Sequence, residues 1–403
     1  MTNNKKVDLK IILIMGLLTA IGPLSIDMYL PAFPAIAKSL GTTVSEVTLS
    51  LSSFFIGISA GQMLYGPLLD RYGRKKPLYA GLCLFFLASV GCAFAPTVSS
   101  LILFRFLQAV GGCVGMVAAR AMVRDLFTVK DSAKIFSTLM LVVSVSPIMA
   151  PTIGGYITAY FGWRAIFFAL IFIVSIILAG TYFYLPESKQ PDPSISLKPK
   201  PILRSFAKIL KHPLFITYAL TGAISYAGLY AYIGGAPFVF MELFKVSETQ
   251  FGWIFAFISI GLIGASQLNN IALKYFSNEK IILVASGAQS IIGILFASFA
   301  FFGFTNLIST VLLVFLFLVC QGFIFPNTTA LALAPLSGNA GNASGLLGAM
   351  QMTVGGCAAA LISFIQDQST LPMAGIMAFC AVVAFIALNL GNRFISQSTT
   401  TYA

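Results

Sequence analysis

The sequence predicts an all-α membrane protein of twelve transmembrane helices in two six-helix bundles, and three observations carry that prediction. Of the 403 residues, 58% are hydrophobic and only 9% charged. A water-facing globular surface uses roughly 25% charged residues, so the solvent must be lipid. Twelve apolar runs, each near the ~20 residues that cross a bilayer, are separated by charges, prolines or Asn/Asp clusters. The longest break, 186–212, holds Pro186, Pro191, Pro193, Pro199 and Pro201 with seven Lys, Arg or His residues. It leaves six runs on either side, hence a first bundle over 1–185, a linker over 186–212 and a second bundle over 213–403.

Span 1 covers 10–31. Its apolar run is too long for a signal-peptide core and no small-residue cleavage site follows, so it is read as a span and not a leader. Spans 2 (46–69) and 3 (77–95) flank a loop with Arg71, Arg74, Lys75 and Lys76. Span 4 (99–120) contains Arg105 and ends on Arg120, span 5 (134–158) contains Pro147 and Pro151, and span 6 (164–185) runs from Arg164 to Pro186. In the second half, span 7 (213–235) lies between Pro213 and Pro237, and span 8 (249–272) between Glu248 and Lys274. Spans 9 (280–302), 10 (307–330), 11 (344–366) and 12 (373–392) follow, bounded by Lys280, Asn306, Asp367 and Arg393. Within the linker, residues 202–210 alternate apolar and basic positions at helical spacing and are expected to lie at the membrane surface.

Placing the N-terminus inside puts 19 of the 24 Lys and Arg residues in cytoplasmic segments and leaves Lys38, Arg164 and Lys245 outside. That bias orients the chain, with both termini cytoplasmic in the cell inner membrane. It also accounts for the net charge of +12 without a nucleic-acid partner. The six cysteines lie in apolar runs with no CxxC pair, and buried Cys behaves as a small hydrophobe, so neither disulfides nor a metal or other cofactor is expected.

The loop after span 2 reads Gly66-Pro-Leu-Leu-Asp70-Arg71-Tyr-Gly73-Arg74-Lys75-Lys76. It resembles the signature loop of the major facilitator superfamily. Span 4 carries Arg105-Phe-Leu-Gln108-Ala-Val-Gly111-Gly112, similar to a motif of the superfamily's proton-coupled drug antiporters, with Ala109 in place of the usual Gly. Span 5 carries Ser146-Pro147-Ile-Met-Ala150-Pro151-Thr-Ile-Gly154-Gly155, which resembles the antiporter motif of the same proteins with Ala150 in place of its first Gly. Span 1 carries Asp27-Met-Tyr29-Leu-Pro31-Ala-Phe-Pro34, and with the doubled proline of span 5 it resembles the bicyclomycin-resistance (Bcr/CflA) subfamily. The resemblance implies the major facilitator fold, proton-driven export of small drugs by alternating access, and a monomer whose partners are substrate, protons and lipid. The loop at 269–280, the second-half equivalent, is degenerate.

Asp27 is the one acid of twelve placed inside a span, and an intramembrane carboxylate is a functional-site candidate by default. It shares a face with Gly16, Ala20, Pro23 and Pro31, at three- and four-residue spacing. At 1.5 Å per residue, Arg105 and Asp27 lie roughly 10 and 6 Å below the outer ends of their helices. An Asp27–Arg105–Gln108 proton-coupling network is therefore expected. Arg120, about 22 Å further along span 4, is expected to snorkel at the cytoplasmic face. The resemblance implies that Gly66, Asp70, Arg71, Gly73, Arg74 and Lys75 latch one conformation. Pro147, Pro151, Gly154 and Gly155 form the expected antiporter hinge. Tyr29, Tyr226, Tyr230, Asn327 and Gln351 are the substrate-cavity candidates. An enzyme is excluded, because the spans hold one acid and no histidine. The alternative is a proton-coupled transporter of a physiological metabolite.

Overall fold

The computed structural model describes residues 9–400 apart from 196, 198 and 366. Lys5, Lys6 and Lys198, counted above among the basic segments, lie outside the described residues. Among those described, twelve helices are long and apolar enough to cross a membrane. Spans 1 to 6 are Leu9–Leu40, Val44–Tyr72, Lys75–Ala93, Val98–Leu126, Thr138–Phe161 and Arg164–Tyr184. Spans 7 to 12 are Pro213–Leu243, Glu248–Ala272, Asn278–Phe301, Leu307–Leu336, Gly341–Ile365 and Leu371–Ile395.

Several helix starts follow from local chemistry. Thr43, Thr97, Ser247, Ser277 and Asn306 stand at N-cap positions, and each side chain accepts from a backbone N–H three residues on. Three of these are reciprocal capping boxes, pairing Thr97 with Ser100, Ser247 with Gln250 and Asn306 with Ser309.

The packing repeats. In the first half span 1 packs on spans 4, 5 and 6, span 3 on spans 4 and 6, and span 2 on span 4. In the second half span 7 packs on spans 10, 11 and 12, span 9 on spans 10 and 12, and span 8 on span 10. Adding six to each number converts one bundle into the other. The main contacts between bundles, span 2 on span 11 and span 5 on span 8, exchange under the same operation.

Two spans change character along their length. Span 1 is regular over Leu9–Asp27, makes a 3₁₀ turn over Leu30–Ala32 and resumes over Phe33–Leu40. The cause is Pro31, which has no N–H to return to the carbonyl of Asp27 one turn earlier. The sequence reading ended span 1 at Pro31. The helix restarts because Pro31 and Pro34 each stand in a first turn, where the missing N–H costs nothing. Span 7, its counterpart, is α-helical to Ala236 and becomes a π-helix over Pro237–Leu243. There Phe244 N–H bonds to Val239 O at 3.0 Å and Val246 N–H to Phe240 O at 2.9 Å.

The linker helix spans Pro199–Leu210 and packs on the second bundle. Its apolar residues Phe206 and Ile209 are buried against Phe215, Tyr218, Ile282, Leu346 and Leu388 of the second bundle, while Arg204 and Lys208 are exposed. Phe206 and Ile209 are thus covered by protein.

Candidate functional site

Asp27 is the last residue of the regular part of span 1 and is 5% exposed. Its carboxylate carries no hydrogen bond or ion pair among the described residues. Span 7 carries three tyrosines, Tyr226, Tyr230 and Tyr232, and Tyr232 stacks on Phe255 of span 8 at 5.5 Å. Tyr226 and Tyr230 belong to an aromatic wall. Tyr226 meets Tyr230 edge-on at 5.2 Å and Phe325 of span 10 at 4.8 Å, and Tyr230 meets Phe55 of span 2 at 4.3 Å. Tyr230 Oη donates to Met352 Sδ of span 11 at 3.3 Å.

Arg105 lies on the other side of span 1. It is fully buried, with Nη1 donating to Gln108 Oε1 (2.6 Å) and Nη2 to the carbonyl of Ser25 (3.0 Å). Its guanidinium sits 4.4 Å from the ring centre of Tyr29 and 4.1 Å from that of Phe54. Gln108 Nε2 passes the chain to Ser89 Oγ of span 3 (2.7 Å). The expected contact between Asp27 and Arg105 is not made. Arg105 engages Ser25 and Tyr29, each two residues from Asp27, and two residues are about 200° around a helix. Equal depth did not imply a shared face. Tyr29 is corrected with it: the ring is buried inside the first bundle, its hydroxyl 2.8 Å from Ser50 Oγ, and does not line the aromatic wall.

The signature loop is more extensively held than its motif implied. Arg74 donates to Asp125 through Nε (2.7 Å) and Nη2 (3.2 Å) and to Asp70 through Nη1 (2.9 Å). Burial opposes its charge, but the hydrogen bonds and charges of Asp125 and Asp70 win and raise the guanidinium above its ordinary value. The chain after span 6 folds back onto this cluster. Glu187 accepts from the backbone N–H groups of Arg74 (2.7 Å) and Lys75 (3.0 Å), at the positive end of the span 3 helix. Ser188 Oγ donates to Asp125 (2.9 Å) and Lys189 Nζ to Asp70 (2.8 Å). Arg71 Nη1 reaches the carbonyl of Ile195 at 2.7 Å. Gly73 takes φ 81°, and a Cβ there would stand 3.1 Å from Glu187 Oε2, so only glycine suits the turn. Asp125, Glu187, Ser188 and Lys189 join this cluster although no motif marks them in the sequence. Their signal was the number of acids gathered beside a basic loop.

Asp70 and Gly66 also line a cleft of about 120 Å³ that opens on Gly341, Asn342 and Gly345 at the start of span 11. The Lys75 side chain lies over Tyr79, 5.8 Å from the ring centre.

In span 5 the helix runs unbroken from Val129 to Phe161 through both prolines. Pro151 leaves the carbonyl of Pro147 without its helical donor, and Ser259 Oγ of span 8 reaches that carbonyl across the bundles at 3.5 Å. Gly154 touches the carbonyl of Met28 at the break in span 1, and Gly155 touches the carbonyl of Glu248 in span 8. Thr48 of span 2 likewise donates to Gly234 O of span 7 at 3.3 Å. The bundles therefore meet at the end away from the basic loops, while Arg120 and Arg124 remain exposed near the basic end.

Asn327 is not on the wall either. Its Nδ2 donates to Asn269 Oδ1 and Phe323 O (both 2.7 Å), and its Oδ1 accepts from Asn278 Nδ2 (3.0 Å). This amide cluster joins spans 8, 9 and 10 where Asp70, Arg74 and Asp125 join spans 2, 3 and 4. The degenerate second loop thus keeps the arrangement without charge. Deeper in the second bundle, Ser225, Gln289 and Gln321 bond to one another in spans 7, 9 and 10. They form a neutral counterpart to Arg105, Gln108 and Ser89. Gln351 is 7% exposed in span 11.

Comparison with known proteins follows this geometry. The sequence profile of the Major Facilitator Superfamily matches residues 15–360. The chain is 32% identical to YdgK of Bacillus subtilis strain 168, an uncharacterised MFS-type transporter, over 95% of both chains. It is 30% identical to the bicyclomycin resistance protein homolog of Haemophilus influenzae, over 96% of both. The crystal structure of a D-xylose–proton symporter superposes with a TM-score of 0.68 at 14% identity, covering 95% of this chain and 97% of the other. At that identity the match speaks for the fold alone.

Proposed function

The chain belongs to the Major Facilitator Superfamily and is a twelve-span membrane transporter, not an enzyme, and from that premise we propose that it is a proton-coupled exporter of small drugs or antibiotics. It works as a monomer in the cell inner membrane, with both termini and the basic loops in the cytoplasm. Residues 1–185 and 213–403 move as two bundles joined by the linker at 186–212.

One observation carries this reading: Asp27, a buried carboxylate at the break in span 1, has no counterion among the described residues. An ionised carboxylate is costly there, being buried and at the carbonyl end of a helix. It is neutralised by a proton taken from outside, and that proton is released to the cytoplasm when substrate enters from there. Tyr226, Tyr230 and Phe325 supply apolar contact with a polar edge, which suits partly apolar substrates. The Arg74 cluster holds the cytoplasmic loops, and the small faces of span 5 seal the outer ends. One proton moving down 100 mV supplies about 2.3 kcal/mol, enough for a roughly 50-fold gradient. The relative named for bicyclomycin resistance agrees with drug export.

The test is drug susceptibility and efflux in a pump-deficient host, with and without an uncoupler, for wild type and Asp27→Asn. Resistance that disappears with the uncoupler and with Asp27→Asn supports the proposal. An unchanged susceptibility profile over a broad panel moves the reading to a metabolite transporter.

A further inference from the structure

Two adjacent glycines of span 11 meet the aromatic wall from behind. Gly355 touches the ring of Tyr230, and a Cβ there would collide with the ring's Cγ, Cδ2 and Cε2 atoms. Gly356 faces Phe55 and Ile56 of span 2, and a Cβ there would stand 3.3 Å from Phe55 Cβ. Both glycines are buried within span 11 and neither has a positive φ. Glycine in a helix interior is less favourable than alanine, so its use here is close approach and not conformation.

The seat fixes how far back Tyr230 lies. Its ring is 4% exposed and 4.3 Å from that of Phe55, and its hydroxyl donates to Met352 Sδ. Met352 stands three residues before Gly355, on the same face of span 11. Phe55 is fully buried between this ring and Gly356, so it closes the rear. The open side is marked by Tyr226 one turn earlier on span 7, by Met352 and by Phe325 of span 10, all half-buried. A side chain at 355 would therefore drive the Tyr230 ring towards Tyr226 and Phe325, into the space the wall borders.

We propose that Gly355 is a positioning residue that sets substrate size: by seating Tyr230 it fixes the depth of a pocket, fronted by Tyr226 and Phe325, that takes planar molecules of several fused aromatic rings. Flat π-faces offset-stack on such rings, and a delocalised cation gains further from them. The depth behind the front rings decides how many fused rings fit. Gly355 acts through Tyr230 and not by contact with substrate.

This inference rests on the aromatic wall being the substrate surface, as proposed above, and the experiment separates the two. Binding of N-methylquinolinium and N-methylacridinium, which carry the same charge and differ by one fused ring, is measured by equilibrium dialysis of the purified protein in nanodiscs against empty nanodiscs. Gly355→Ala should weaken N-methylacridinium by about tenfold or more, as one methyl intruding on an apolar pocket does, and leave N-methylquinolinium within about twofold. Tyr230→Leu removes the ring that the methyl would push. The double variant should therefore bind N-methylacridinium as Tyr230→Leu alone does. Should Gly355→Ala fail to fold, Tyr230→Leu still decides, because by itself it should shift the ratio of the two affinities towards the larger probe. A merely structural role at 355 would weaken both probes alike. A ratio that stays at the wild-type value in the folded variants overturns the proposal and leaves the wall standing as a binding surface. Failure of the wild type to bind either probe overturns both.

Discussion

Replacing Arg74 by lysine preserves the charge and removes the fork, which makes it the sharpest probe of the basic-end cluster. The arginine side chain is 6% exposed, Asp125 is 19% exposed and Asp70 is 41% exposed. Two of its three bonds go to Asp125, and a lysine ammonium cannot reproduce that planar pair while reaching Asp70 as well. Charge-assisted bonds contribute about 1.5–3 kcal/mol each where shielded. The Asp70 contact counts for less, because that carboxylate is more exposed and keeps Lys189. Arg74→Lys should therefore destabilise the protein by about 2 kcal/mol. Arg74→Gln, which strands Asp125 with only Ser188, should cost about 3 kcal/mol. The assay is unfolding in mixed micelles of the single variants and of the double variant with Asp125→Asn. A double-mutant coupling near 2 kcal/mol is expected. Coupling below about 0.5 kcal/mol would refute the claim that this pair organises the loop.

Two further outcomes follow from packing. Gly154→Leu should force span 5 away from the carbonyl of Met28, costing about 1–3 kcal/mol and most of the transport rate. Gly22→Ala in span 1, where a Cβ would meet nothing within 4 Å, should leave both unchanged. Arg105→Lys should lose the stacking on Tyr29 and Phe54, at about 1–3 kcal/mol in the same unfolding assay.

The spans were legible because lipid imposes one requirement, a long apolar helix, that any stretch of sequence either meets or fails. Their pairing was legible only as symmetry. The position of Asp27 along its helix could be counted, but its direction around the helix could not be read from depth alone. Direction decided that Arg105 would meet Ser25 and Tyr29 and that Asp27 would be left without an ionic partner among the described residues. The cluster at Arg74 escaped for a different reason. Glu187 and Lys189 are more than a hundred residues away and reach it only because the chain leaving span 6 turns back over the loop. Asn327 and its partners read as scattered amides until spans 8, 9 and 10 brought them together. The linker helix was recognisable from its amphipathic pattern, yet the pattern could not say whether lipid or protein would cover it.

The central claim is that Asp27 exchanges a proton for substrate. The most direct measurement is proton flux in proteoliposomes carrying an internal pH dye, driven by a gradient of a drug to which the wild type confers resistance. The account predicts that the drug gradient drives an opposing proton flux through the wild type. In Asp27→Asn it predicts drug binding with no proton flux. Proton flux through Asp27→Asn at the wild-type ratio to drug would contradict it.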